Sequence, residues 1–272
     1  MIPAPFDYAR AGSVQEAISL LGADPDAKVL AGGHSLLPAM RLRIARPSML
    51  VDIGRLADLS YVREGGDRIA VGALTRHHDV ANAEVLQQLC PIVAHAAGQI
   101  GDPQVRHMGT IGGSVAHGDP AGDLPTVLLA LDAEFVVQGS TGTRTVAAAD
   151  FFTSLFETAL APDELLTEIR VPKANAGWSF IKFQRRAQDW AVVGVSAVRS
   201  NGGVHVALTN MGLTPLRATG VEEAVRGGAD PATAATHADE GTAPPSDAFG
   251  SAGYRRELVK VLVRRALEEA SA

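Results

Sequence analysis

Ala31-Gly32-Gly33-His34-Ser35 and Thr110-Ile111-Gly112-Gly113-Ser114 are two glycine clusters of matching form, and their reading decides the fold. Each follows a segment that reads as extended, and each closes on a hydroxyl. Paired glycines let a backbone come close to a ligand and adopt positive φ. Successive backbone N–H groups in such a turn make a concave anion site. Ser35 and Ser114 can add hydroxyl donors. One cluster alone reads as a tight turn; two of the same form point to loops that grip a pyrophosphate from both sides.

The segments around the clusters alternate between helix and strand. Ser13 and Glu16 form an S-x-x-E capping box, and Val14, Ala17, Ile18 and Leu21 then recur at helical spacing. Gly22 reads as the stop of that helix. Lys28–Ala31 and Met49–Ile53 read as strands with a short helical stretch between them, so residues 1 to about 55 form a small α/β unit. Arg68–Ala73 is a further strand, and Thr75–Asn82 and Ala83–Ala97 are helices interrupted at Pro91. Gly98–Gly122 reads as a loop. Asp123, as N-cap, and Pro125 open a helix that runs through Leu131. Glu134–Gln138, Thr143–Ala147 and Leu165–Val171 read as strands of one sheet.

A break at Pro172–Gly177 separates this part from three more strands, Trp178–Gln184, Ala191–Ser200 and Val204–Gly212. Asn201-Gly202-Gly203 is a hairpin signal between the last two. Short helices are expected at Val221–Arg226 and Pro231–Ala238. Tyr254–Glu269 reads as an amphipathic helix with Leu258, Val261, Leu262 and Leu267 as its stripe.

Length and composition set the outer limits. A chain of 272 residues approaches the size at which one core divides, roughly 250–300 residues, so two domains are expected. Hydrophobic residues make up 46% and charged residues 20%, an ordinary balance for a folded core. The net charge of −6 comes without a basic stripe, which argues against nucleic acid as a partner. A single cysteine, Cys90, excludes an internal disulfide and an iron–sulfur cluster held by this chain alone; beside Pro91 it reads as a buried apolar residue. No basic, apolar leader and no run long enough to span a bilayer is present, so the cytoplasm is the expected location. G-x-G-x-x-G after a strand, the P-loop, H-E-x-x-H and G-x-S-x-G are all absent. His77, His78, His95, His107 and His117 lack a metal-ligand frame and read as surface or loop histidines.

Three longer stretches carry a specific resemblance. Ala31–Pro38 followed by Met40-Arg41-Leu42-Arg43, Gly109–Pro125, and Lys182–Ala191 resemble, in order and spacing, the two FAD loops and the opening of the C-terminal domain in flavin subunits of molybdenum hydroxylases. The likeness is strongest to medium subunits of the carbon monoxide dehydrogenase and xanthine dehydrogenase type, and it covers essentially the whole chain. His34 matches the carbon-monoxide-dehydrogenase-like branch, where other relatives carry Asn or Thr.

The resemblance implies an α+β fold. A vanillyl-alcohol-oxidase-type (PCMH-type) FAD-binding domain would span residues 1–173, with lobes of about 1–55 and 56–173. A smaller CO dehydrogenase flavoprotein C-terminal domain, with a three-stranded antiparallel sheet and helices, would span 177–272. By match, Ala31, Gly32, Gly33, His34, Ser35 and Leu36, with Thr110, Ile111, Gly112, Gly113 and Ser114, would hold the FAD pyrophosphate. Asp123 would contact the sugar or polyol side, and Leu160 would line the flavin or adenine pocket. Lys182 would lie near the isoalloxazine edge, and Trp190 would stack on or cover one flavin face. Read without the family, Leu160 and Trp190 are core residues and Lys182 is a solvated strand lysine.

The implied function is electron transfer, with the cofactor carrying the redox chemistry. Electrons would come from the [2Fe–2S] clusters of a small subunit, fed by a large molybdenum–pterin subunit, and leave to an external acceptor. A dimer of such heterotrimers is the family arrangement. Because electron transfer needs closeness, the partner surface is expected near the flavin mouth. The other reading is a self-sufficient FAD-dependent reductase of the same fold using NAD(P)H.

Overall fold

The computed structural model describes residues 2–175, 177–200 and 203–271. The first lobe is a three-stranded parallel sheet. It is built from β1 (Asp7–Arg10), α1 (Val14–Ala23), β2 (Lys28–Leu30), α2 (Leu36–Arg41) and β3 (Met49–Asp52), in the order β1-β3-β2. Ser13 caps α1 by accepting from Glu16 N at 3.1 Å, and the Glu16 carboxylate accepts from Gly12 N at 2.7 Å. Ala17, Ile18 and Leu21 are buried against β3 and form this lobe's own core with Val51 and Ile53. The predicted stop at Gly22 is wrong by two residues. The helix runs on through Ala23, and Asp24 N donates to Leu21 O.

The second lobe begins with β4 (Val62–Gly65) and β5 (Arg68–Gly72). The helices α3 (His77–Asn82), α4 (Glu84–Leu89), α5 (Pro91–Gly98), α6 (Pro103–Met108) and α7 (Ile111–His117) follow. Then come α8 (Asp123–Ala130), β6 (Glu134–Gly139), β7 (Gly142–Ala147), α9 (Ala148–Phe151), the small hairpin β8 (Phe152–Ser154) and β9 (Glu157–Thr158), and β10 (Leu165–Pro172). One antiparallel sheet, β4-β5-β10-β6-β7, carries the lobe. Cys90 lies in its core, fully buried.

The region read as a loop, Gly98–Gly122, contains two helices. Asp102 caps α6 by accepting from Val105 N at 2.8 Å, and Thr110 caps α7 by accepting from Gly113 N at 3.0 Å. Two adjacent glycines are poor helix formers, which hid α7. Tertiary packing demands them instead: a Cβ on Gly112 would lie 2.5 Å from Ala73 Cβ and 2.6 Å from Ala73 O. Gly118, at φ 64, ends the helix in the left-handed conformation. Asp123 is not the N-cap of α8; Gly122 holds that position and makes no side-chain bond.

The last third is an antiparallel sheet of β11 (Trp178–Phe183), β12 (Val193–Ser200), β13 (Gly203–Thr209) and a short β14 (Leu216–Arg217). It has four strands rather than the three expected, because the two-residue β14 is too short to show as a pattern. Asn201 and Gly202 of the predicted hairpin turn lie outside the described residues, as does Ala176 in the predicted break. α10 (Thr219–Arg226), α11 (Pro231–Ala234) and α12 (Ala252–Ser271) complete the domain.

Strand alternation splits this sheet between two cores. Val193 and Val195 lie on the side covered by α12, and Val206 and Leu208 share that core where α10 packs on β13; Phe180, Val198 and Ala207 join the core of the second lobe, where α8 packs. At that junction Thr209 donates to Thr126 at 2.8 Å, both fully buried. On α12 the buried stripe is Val259, Leu262, Val263, Ala266 and Leu267, and Val261 points outward at 42% exposure. Among the described residues, no helix is long and apolar enough to cross a membrane.

Close packing at Gly112 is directly testable. Gly112→Ala gains helix propensity of about 1 kcal/mol, but it overpacks Ala73 at a typical cost of about 1–3 kcal/mol. It also strains the Gly112 N–H bond to Ala73 O. The denaturant midpoint should therefore fall; a midpoint equal to or above wild type would refute this account.

Candidate functional site

The two glycine clusters meet although they lie far apart in sequence. A Cβ on Gly32 would lie 2.3 Å from Met108 O and 2.8 Å from Gly109 Cα, so only glycine lets the two backbones pass. Gly33 follows at φ 74. Among the described residues, the N–H groups of Gly32, Gly33, His34 and Ser35 meet no protein acceptor. Four successive free donors beside a left-handed glycine are the makings of an anion nest.

These loops form the floor of a cleft of about 740 Å³ at the junction of both lobes and the last domain, within the usual range for small-molecule sites. Ala31, Gly32, Gly33, His34, Ser35, Leu36, Thr110, Gly113, Ser114, Asp123, Leu160, Lys182 and Trp190 all line it. Ile111 and Gly112 do not. Ile111 is fully buried in the core, its N–H donates to Thr75 O at 3.0 Å, and that of Gly112 donates to Ala73 O at 2.9 Å. The second cluster therefore offers the cleft Gly113 and the Thr110 and Ser114 hydroxyls rather than a full row of backbone donors.

Lys182 is not a solvated strand lysine. It shares the face of β11 with Phe180, toward the second lobe, and its side chain is 3% exposed. Its Nζ donates to Asp123 Oδ2 at 2.6 Å and to Gln99 O at 3.2 Å. Burial pushes the Asp123 carboxyl up to about 6 against the pull of Lys182. Asp123 Oδ1 is buried and has no partner. An unpaired carboxylate oxygen in a cleft wall is costly unless a donor arrives, and a sugar or polyol hydroxyl is such a donor. This orphaned oxygen, the free nest at Gly32–Ser35 and the cleft's size all fit FAD.

Trp190 is 68% exposed at the cleft and is not a core tryptophan. Its loop is pinned from behind. Arg255, fully buried on α12, donates to Val192 O and holds both Asp247 oxygens at 2.7 Å. Asn210 donates through Nδ2 to Ala191 O at 2.9 Å and through its backbone N–H to Pro120 O at 2.8 Å. Gln188, at φ 74, also lines the cleft.

Sequence reading missed two wall residues. His77 is not a surface histidine: it is 4% exposed, and its Nδ1 is buried without a partner. Burial and the neighbouring Arg76 lower its pKa to about 4, so the ring is neutral at pH 7. The dipeptide His77-His78 gave no sign that only the first turns inward. Phe156 sits at φ 58 in the β8–β9 turn with its ring 5.1 Å from that of His117. A bulky residue in that conformation is an outlier that sequence does not announce.

Two predictions follow from the buried ionisable groups. The His77 pKa is depressed from 6.5 to about 4, so its stabilising contribution is full above pH 6.5 and is lost as pH falls through 4. Between those pH values the unfolding free energy of wild type should fall about 3 kcal/mol further than that of His77→Gln; parallel curves in denaturant titrations would contradict this. Lys182→Met leaves Asp123 buried and unpaired, at a cost of about 3 kcal/mol or more. Its carboxyl should titrate above 6, so the deficit against wild type should be larger at pH 8 than at pH 5. Adding Asp123→Asn to Lys182→Met should recover part of the loss at pH 8.

Comparison with known proteins agrees with this geometry. Residues 4–174 match the family described as the FAD binding domain in molybdopterin dehydrogenase, and residues 178–270 match the CO dehydrogenase flavoprotein C-terminal domain. The chain is 41% identical to the carbon monoxide dehydrogenase medium chain of Hydrogenophaga pseudoflava, over 99% of this chain and 98% of that one. It is 40% identical to the glyceraldehyde dehydrogenase medium chain of Sulfolobus acidocaldarius, over 99% of each. Among solved structures, a chain of Hydrogenophaga pseudoflava carbon monoxide dehydrogenase superposes with a TM-score of 0.95 at 43% identity, covering 100% of this chain and 99% of that one. A chain of quinoline 2-oxidoreductase from Pseudomonas putida 86 gives 0.93 at 30%, with the same coverage. With both of its parts matched in order and its full length shared with these relatives, the chain belongs to the FAD-binding flavoprotein family of the molybdopterin dehydrogenases.

Proposed function

We propose that this chain is the FAD-carrying medium subunit of a heteromeric molybdenum hydroxylase. It takes electrons from [2Fe–2S] clusters of a small partner subunit, which receives them from a large molybdenum–pterin subunit, and passes them to an external acceptor. The single observation that carries this reading is the cleft. Its free N–H nest at Gly32–Ser35 stands with the unpartnered Asp123 oxygen in the same walls, in a chain whose full-length relatives are named as medium subunits. The assembly is a dimer of heterotrimers working in the cytoplasm, with residues 1–173 binding the cofactor and 177–272 closing over it.

When bound, FAD supplies a carrier that accepts and releases electrons. The chain's own residues bind and orient it. Gly32, Gly33, His34 and Ser35 donate backbone N–H groups to the pyrophosphate, joined by the Thr110 and Ser114 hydroxyls and Gly113. Asp123 accepts from a sugar or polyol hydroxyl while Lys182 holds its other oxygen. Leu160 packs against a ring, and Trp190 covers a flavin face at the mouth. Ile111 and Gly112 act one step back, fixing α7 to the Ala73–Thr75 segment. A self-sufficient NAD(P)H reductase is the weaker reading, because the relatives that match from end to end are named subunits of larger enzymes.

The test is the visible spectrum of the purified chain, alone and co-expressed with molybdenum and iron–sulfur subunits. Flavin bands released as FAD on denaturation, with cluster absorbance only in the co-purified form, are the expected result. Turnover of NADPH by the chain alone would transfer the assignment to the reductase. A chain that takes up no FAD in either preparation would end both.

A further inference from the structure

From Ala27 to Val51 the sequence contains no aspartate or glutamate, yet it carries Lys28, Arg41, Arg43 and Arg46 in a chain of net charge −6. α2 ends inside this stretch, and its ending is unusual. Leu42 is the C-cap, and Arg43 follows at φ 60. Arg43 N donates to Met40 O and Ile44 N to Ala39 O, each at 2.9 Å. This is the bond pair of a Schellman turn, whose left-handed position is ordinarily glycine and whose next residue ordinarily folds back on the helix. Here an arginine carries the strain. Ile44 points outward at 78% exposure, with Leu42 at 59% and Leu37 at 40%.

The charges on this surface are as unpartnered as its apolar residues. Arg43 Nε donates to Ile2 O and Arg46 Nε to Arg43 O. Among the described residues, no carboxylate lies within 4.0 Å of Arg41, Arg43 or Arg46. The patch also adjoins the cleft. Leu36, the first residue of α2, lines it, and Leu37 packs over Gly33, where a Cβ would lie 2.9 Å from Leu37 Cδ1. Left-handed backbone at a residue other than glycine gathers at functional sites, and here it turns an arginine and an isoleucine into solvent.

We propose that α2 and its C-terminal turn are the docking surface for the electron-donating subunit, which meets it with an apolar patch rimmed by carboxylates. The inference rests on the function proposed above and adds the place of contact. Position selects this occupant over a second copy of the chain: the patch is continuous with the wall of the cofactor cleft through Leu36 and Leu37, where an electron donor has to stand. Apolar anchors mixed with arginine are what protein interfaces favour. Seated there, the donor stands at the wall of the cofactor cleft, as electron transfer requires.

The experiment compares the full-length wild-type chain with Leu42→Glu/Ile44→Glu and with Arg43→Gly, each co-expressed with the [2Fe–2S] and molybdenum subunits. FAD content and melting midpoint of the isolated chains report folding. Both variants should retain FAD, and Arg43→Gly should melt higher than wild type because glycine relieves the left-handed strain. Both should bind the iron–sulfur subunit about tenfold or more weakly, and wild-type affinity should fall as salt rises from about 0.05 to 0.5 M. If Leu42→Glu/Ile44→Glu misfolds, Arg43→Gly decides: weaker capture at a higher melting midpoint supports the proposal, and undiminished capture overturns it. Variants that assemble like wild type, or that alter only self-association in sedimentation, overturn this inference and leave the function standing. A wild-type chain that assembles with no iron–sulfur subunit overturns both.

Discussion

The structure turns on a place where backbone must pass backbone. At Gly32 the first lobe touches Met108 and Gly109 of the second, and the space left there admits no Cβ. Because the contact is made by main chain, no rotamer change can relieve it. The free N–H groups of Gly32–Ser35 then face the same cleft as the first turn of α7. Gly112 extends the constraint one layer deeper by seating α7 on Ala73. The glycines weaken the helix they occupy, and the loss is offset by the junction they permit.

A second constraint is electrical. Lys182 and Asp123 bring one charge each from different domains into a nearly water-free wall. Such a pair contributes little net stability, since desolvation opposes the attraction, but it penalises any arrangement that separates the partners. It therefore fixes β11 against α8 in one register. The pair also leaves Asp123 Oδ1 facing the cleft without a donor, while His77 across the site stays neutral.

Much of this was legible because it depends on local pattern. The two glycine clusters, the strands around them and the break near residue 175 all follow from turn chemistry and period-two alternation. What was hidden depends on neighbours remote in sequence. α7 was invisible because its glycines answer to Ala73, not to their own helix. Whether Lys182 turned inward or outward depended on which face of β11 met the second lobe; alternation defines two faces but does not rank them. Ile111 and Gly112 belong to the same motif as Thr110 and Ser114, yet their N–H groups are committed to Thr75 and Ala73, a division of labour that no spacing displays. β14 and the β8–β9 hairpin are too short to form a pattern, and Val261 shows that an apolar residue at helical spacing need not be inside.

The clamp on the Trp190 loop bears on the order in which the site can be made. Arg255 lies near the start of α12, the last helix of the chain, and it holds Val192 O and the Asp247 carboxylate together. A ribosome releases the glycine loops first, Lys182 later and Arg255 later still. Domains usually fold as they emerge, N-terminal parts first, so the nest exists for a time before the wall bearing Trp190 is fixed. The wall bearing Trp190 is thus the part of the site whose supports are synthesised after all its other walls.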